Sequence, residues 1–173
     1  MRRDRQQVAP AAAAGSGRDP EAGTVELRIP SDSGWERVAM DAAASVARRM
    51  GFPESRIEDI RTAVSEATIN AIEHGNAGET ARSVWVLLAP GAAELEIRVR
   101  DGAVLPLRLP QGPAGAPGAA ARPDLAAMVA GEVSPRGWGV FLIQSLMDEA
   151  EFTAAETGNL VRMVVRLEPR PGG

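Results

Sequence analysis

A chain of 173 residues, 45% hydrophobic and 24% charged, has the length and balance of one soluble globular domain able to bury a core. Its net charge of −4 argues against nucleic acid as the main partner, and it has no apolar run near the roughly 20 residues that would span a bilayer, so a cytoplasmic protein is expected. With no cysteine, no lysine and one histidine, His74, the chain excludes disulfides, thiol nucleophiles, multi-histidine zinc sites, and two lysine-dependent nucleotide designs, the P-loop and the eukaryotic-type protein-kinase strand lysine.

Residues 1–22 are Ala, Gly, Pro and Arg without periodicity and read as a disordered leader; the folded domain is expected over 23–169, with a short tail at 170–173. Val25, Leu27 and Ile29 alternate with polar residues up to Pro30, the pattern of a half-buried strand. A helix follows. Ser33 and Glu36 have capping-box spacing, Trp35, Val38, Ala42, Val46 and Met50 recur at helical intervals as its apolar stripe, and Gly51 suits its C-terminal cap. Pro53 opens a longer helix whose stripe is Ile57, Ile60, Val64, Ala67 and Ala71, ending near His74 and Gly75.

Ser83–Leu88 and Glu94–Arg100 then read as a hairpin, with Leu95, Ile97 and Val99 in strict alternation and a turn around Pro90 and Gly91. From about 103 to 135 periodicity is lost apart from a possible short helix at Pro123–Val129, which marks a functional lid or a loop. Gly137, Trp138 and Gly139 lead into an apolar helix over Val140–Met147, followed by strands around Phe152 and from Leu160 to Leu167. Helices and strands are segregated, so the predicted fold class is α+β: a two-layer α/β sandwich with a mixed, mostly antiparallel sheet and helices on one face.

Three features carry chemistry. Glu66, Asn70 and His74 are four residues apart and share a face of the long helix, where a carboxylate and an amide can position a hydroxyl and ligate magnesium through oxygen; a solvated helix edge accounts for the same spacing. Asp101-Gly102 at a strand end offers an acceptor for an adenine amino group, or is simply a turn. Arg136-Gly137-Trp138-Gly139 precedes a helix whose N-terminal amides can cradle phosphate, or is a tight loop-to-helix turn.

In order and combination, Glu66-Ala-Thr-Ile-Asn70-Ala-Ile-Glu-His74-Gly75, Arg100-Asp101-Gly102 and Arg136-Gly-Trp-Gly139-Val-Phe-Leu-Ile-Gln-Ser-Leu-Met-Asp148-Glu149 resemble the successive boxes of GHKL ATPases. Within them the chain is most similar, over about residues 25–168, to the anti-sigma-factor serine kinases. The resemblance implies a histidine-kinase-like ATP-binding domain using ATP and Mg2+. Glu66 would orient or activate the attacking serine hydroxyl of a protein substrate, Asn70 would ligate the magnesium, and Asp101 and Gly102 would meet adenine. Gly137, Gly139 and Val140 would form the loop and helix start around the phosphates, with Arg136 at the γ-phosphate and Asn159 near the adenine. The stretch 103–135 would be the ATP lid.

The implied partners are an anti-sigma-factor antagonist protein, which is phosphorylated, and a sigma factor; a homodimer is expected on the same ground. The chain departs from the family at its second box, reading Asp101-Gly102-Ala103-Val104 where Asp-x-Gly-x-Gly is usual. A binding module on the same scaffold, regulating a partner without turnover, is the alternative. The ATP-binding half of a sensor histidine kinase is disfavoured, because His74 lies inside the nucleotide box and no dimerisation helix pair is present in the sequence.

Overall fold

The computed structural model describes residues 23–102, 138–155 and 158–167. Strand β1 (Val25–Pro30) is followed by helices α1 (Glu36–Met50) and α2 (Glu54–Asn70), and α2 runs on into a π turn at Ala71–Gly75. The hairpin β2 (Ser83–Pro90) and β3 (Glu94–Arg100), helix α3 (Trp138–Leu146), and the hairpin β4 (Glu149–Ala155) and β5 (Gly158–Arg166) complete the described chain. The five strands form one sheet in the order β1-β2-β3-β5-β4. Every pairing is antiparallel, so the expected admixture of parallel pairs does not occur among the described residues.

Alternation decides the layering, because successive strand side chains point to opposite faces. Val84, Val86 and Leu88 of β2, Leu95, Ile97 and Val99 of β3, and Val161, Met163 and Val165 of β5 are buried on one face. The stripe Ile57, Ile60, Val64, Ala67 and Ala71 of α2 closes on them, as its spacing predicts. The opposite face carries charge: Arg162 pairs with Glu96 at 2.8 Å, and Arg28 and Arg100 lie 5.6 and 4.9 Å from the ring centre of Trp85. One face is therefore the core surface covered by helices, and the other mixes charged side chains with Trp85 and the buried Val164, the arrangement expected of an α+β sandwich.

Helix α1 corrects its sequence reading. Its buried face is Ala39, Ala43, Ala44 and Ala47; of the predicted stripe, Ala42, Val46 and Met50 do pack, partly buried, against the core, whereas Trp35 and Val38 are 42% and 43% exposed. The expected capping box also does not form. The helix starts after Trp35 without a side-chain cap, Gly34 donates its N–H to Glu36 Oε2 at 2.7 Å, and Ser33 donates its own N–H to Asp32 Oδ1 at 2.9 Å. Gly51 does close the helix, in the left-handed conformation at φ 90°.

Helix α3 packs antiparallel to α2, and its far end is fastened there. Arg56, in the first turn of α2, donates to the Leu146 carbonyl at 2.9 Å and pairs with Asp148 at 2.8 Å. Asp148 also accepts the Arg166 N–H at 2.7 Å, which ties this corner to β5. With Arg56 holding the C-terminal end of α3, its N-terminal end is carried to the C-terminal half of α2.

Candidate functional site

Glu66 and Asn70, one helical turn apart on α2, meet the first turn of α3. A β-carbon placed on Gly139 would lie 2.7 Å from Glu66 Oε2 and 2.9 Å from Asn70 Nδ2, so glycine is what permits the approach. Val140, next in the helix, is buried. The described part of α3 thus begins beside a carboxylate and an amide of α2. Burial in this cleft, and secondarily the neighbouring Glu73 carboxylate, hold the Glu66 carboxyl above its ordinary value.

Asp101 lies at the end of β3 and is 3% exposed. Its carboxylate accepts the Asn159 backbone N–H at 2.8 Å on one oxygen and the Asn159 side-chain N–H at 3.0 Å on the other, while its own N–H donates to the Asn159 carbonyl at 3.1 Å. Two glycines wall it in. A β-carbon on Gly75 would overlap the Asp101 carboxylate, and one on Gly158, whose φ is +125°, would overlap the Asp101 backbone oxygen. Ionised, the Asp101 carboxylate is acceptor-only, and the Asn159 side-chain and backbone N–H groups fix its two oxygens in place.

The two clusters are joined through α2. Its C-terminal end passes into the π turn Ala71–Gly75, a form that concentrates at functional sites, and the turn sets Gly75 against Asp101 a few residues after Asn70. His74, on the sequence face shared with Glu66 and Asn70, is exposed on the outside of this turn. The extra residue of the π turn breaks the i, i+4 spacing that had aligned it. Arg136 and Gly137, the segment 103–135 and the possible helix at Pro123–Val129 lie outside the described residues.

Among the described residues no three acidic or histidine side chains converge to hold a metal. The amide of Asn70 beside the start of α3 instead fits a magnesium ion that takes one protein oxygen and draws its remaining ligands from phosphate and water. Sequence reasoning missed the part played by Gly75 and Gly158. The glycine after His74 and the Gly158-Asn159 pair stood in the sequence, but only the fold puts both beside Asp101.

A carboxylate and an amide at the head of a glycine-entered helix, with a buried aspartate beyond a helical turn on a one-sided antiparallel sandwich, define an ATPase-type nucleotide fold without a P-loop. Residues 29–165 match the family described as histidine kinase-like ATPase domain, and the chain belongs to it. It is 32% identical over 133 residues to the serine-protein kinase RsbW of Bacillus pumilus, covering 75% of this chain and 78% of that protein. To the serine-protein kinase RsbW of Bacillus subtilis it is 28% identical over 126 residues, covering 72% and 74%. Among solved structures, the RsbU and RsbW domains of Rv1364c from Mycobacterium tuberculosis share the fold with a TM-score of 0.55 at 20% identity. That match covers 86% of this chain and 34% of the other, so this chain spans about a third of the solved one. No helix among the described residues is long and apolar enough to cross a membrane.

Proposed function

We propose that this protein is an ATP-dependent serine-protein kinase of anti-sigma-factor type, which transfers the γ-phosphoryl group of ATP to a serine of a small antagonist protein and in its other state holds a sigma factor. The observation that carries the reading is the meeting of Glu66 and Asn70 with Gly139 at the start of α3. Phosphoryl transfer demands in-line positioning and charge neutralisation more than covalent help, and this site supplies both without lysine.

Glu66 stands where it orients the serine hydroxyl and accepts its proton as the oxygen attacks the γ-phosphorus; the bond to the β–γ bridging oxygen breaks and ADP leaves. Asn70 would hold magnesium, which would neutralise phosphate charge. The first turn of α3, with Gly139 and Val140, serves the phosphates in this reading, and the resemblance adds Gly137 to that loop and Arg136 to the γ-phosphate. Asp101 and Gly102 take the adenine, and Asn159 aims the Asp101 carboxylate through the bonds described above. The similarity to two serine-protein kinases supports the kinase reading. The antagonist and sigma-factor partners, a homodimeric state and a cytoplasmic location are carried by resemblance to the same family.

Titration calorimetry with a non-hydrolysable ATP analogue, with and without magnesium, tests the reading first. Magnesium-dependent binding in the micromolar range, about −8 kcal/mol, is expected. Glu66→Ala should abolish phosphotransfer and retain that binding, whereas Asn70→Ala should lower the magnesium dependence. Equal loss of binding in both variants would overturn this division of roles, and no binding at millimolar ligand would overturn the kinase reading.

A further inference from the structure

Gly102 follows Asp101 where the chain leaves β3, and a glycine there is free to take backbone angles closed to other residues. Both of its backbone polar groups are nevertheless held by side chains from the segment between the π turn and β2. Gly102 donates its N–H to Asn76 Oδ1 at 2.9 Å, and its carbonyl accepts from Arg82 Nη1. Asn76 is 1% exposed and is itself fixed: its Nδ2 donates to the Ser83 carbonyl at 3.1 Å, and its N–H closes the π turn on the Ala71 carbonyl at 2.8 Å. Arg82 is braced against Glu79 at 2.8 Å.

Asp101 is thus gripped on its carboxylate from β5, by Asn159, and through the next residue from the α2–β2 connection. We infer that Asn76 and Arg82 are positioning residues that fix the aim of the Asp101 carboxylate and thereby set the preference for adenine over guanine. This inference rests on the reading of Asp101 as the adenine-facing residue. A carboxylate fixed opposite the purine 6-position accepts from the 6-amino group of adenine and meets the 6-oxo group of guanine, acceptor against acceptor. A carboxylate free to shift reaches instead the N1–H and 2-amino group of guanine, and the discrimination goes. The clamp holds Gly102 in place where the sequence lacks the family's second glycine.

The test is calorimetric titration of the full chain with magnesium and non-hydrolysable ATP and GTP analogues. For Asn76→Ala the dissociation constant of the ATP analogue should rise about tenfold, near the worth of one well-placed hydrogen bond, and that of the GTP analogue should change by less than about twofold. Asn76→Ala should keep the parent's circular dichroism spectrum and a cooperative thermal transition, which a general loss of structure would not allow. Weakening of both analogues alike by Asn76→Ala, or of neither, would overturn the inference. Asp101→Asn separates the two levels. If it leaves ATP-analogue binding intact, the assignment of adenine to Asp101 fails and the inference falls with it; if it removes the preference while Asn76→Ala keeps it, the clamp alone is wrong. Should Asn76→Ala not fold, Arg82→Met, on a partly exposed side chain, carries the same comparison, with a smaller rise of about threefold expected for the ATP analogue.

Discussion

Gly139 faces Glu66 so closely that one added methyl group would sit 2.7 Å from the carboxylate oxygen, nearer than nonbonded atoms rest. The start of α3 and the carboxylate of α2 therefore form one surface, brought together by helices that run in opposite directions and are fastened at the far end by Arg56 and Asp148.

Gly139→Ala should separate stability from activity. Alanine favours a helix over glycine by about 1 kcal/mol, and the atoms it would strike are the ends of two movable side chains, Glu66 and Asn70. The thermal midpoint should stay within a few degrees of the parent while phosphotransfer falls more than about tenfold, because the two groups that give way are the ones proposed to act. A calorimetric scan and a phosphotransfer assay on the same preparation check it; unchanged activity would mean that the approach of Gly139 to Glu66 is only packing.

The raised Glu66 carboxyl makes a statement about pH. If its ionised form is the one that accepts the serine proton, kcat/KM should fall on the acid side at a pH above the ordinary carboxylate range. Glu73→Gln, which removes the secondary cause, should move that limb to lower pH. The effect on stability has the opposite sense. A carboxyl whose folded value is raised contributes stability that is fully present below its unfolded value and lost as pH rises through its folded value, and Glu66→Gln should remove this part of the pH dependence. Denaturant midpoints across the acid range, with and without the substitution, decide it.

Gly158 should tolerate no side chain. Its φ of +125° is strained for an L residue, and the added carbon would meet the Asp101 backbone oxygen, which unlike a side-chain end has nowhere to go. Gly158→Ala should cost about 2–4 kcal/mol and lower the melting temperature by roughly 5–15 °C. A midpoint within two degrees of the parent would show that the close approach of β5 to Asp101 is not needed for folding.

Periodicity made much of this architecture legible. Leu95, Ile97 and Val99 alternate because one face of β3 is a core and the other is wet, and the stripe from Ile57 to Ala71 repeats because α2 lies along that core. Helix α1 misled for a physical reason. Its buried residues are alanines, which hydropathy barely distinguishes from their surroundings, while the conspicuous Trp35 and Val38 lie outside the contact. The box residues Glu66, Asn70 and Gly139 stood out as motifs and do meet in space. The grip of Asn159 on Asp101, across 58 residues, and that of Asn76 on Gly102, across 26, left no local trace, because each depends on which strands become neighbours and not on any pattern within a segment.

The strand order has a consequence during synthesis. β5 is inserted between β3 and β4, so β4 has no partner in the sheet until the strand that follows it has been made. A growing chain that has reached β3 already carries Glu66 and Asn70, yet Asp101 still lacks the residue that holds its carboxylate. The Asp101–Asn159 pairing therefore forms only when β5 closes on β3, however early α2 and its side chains are in place.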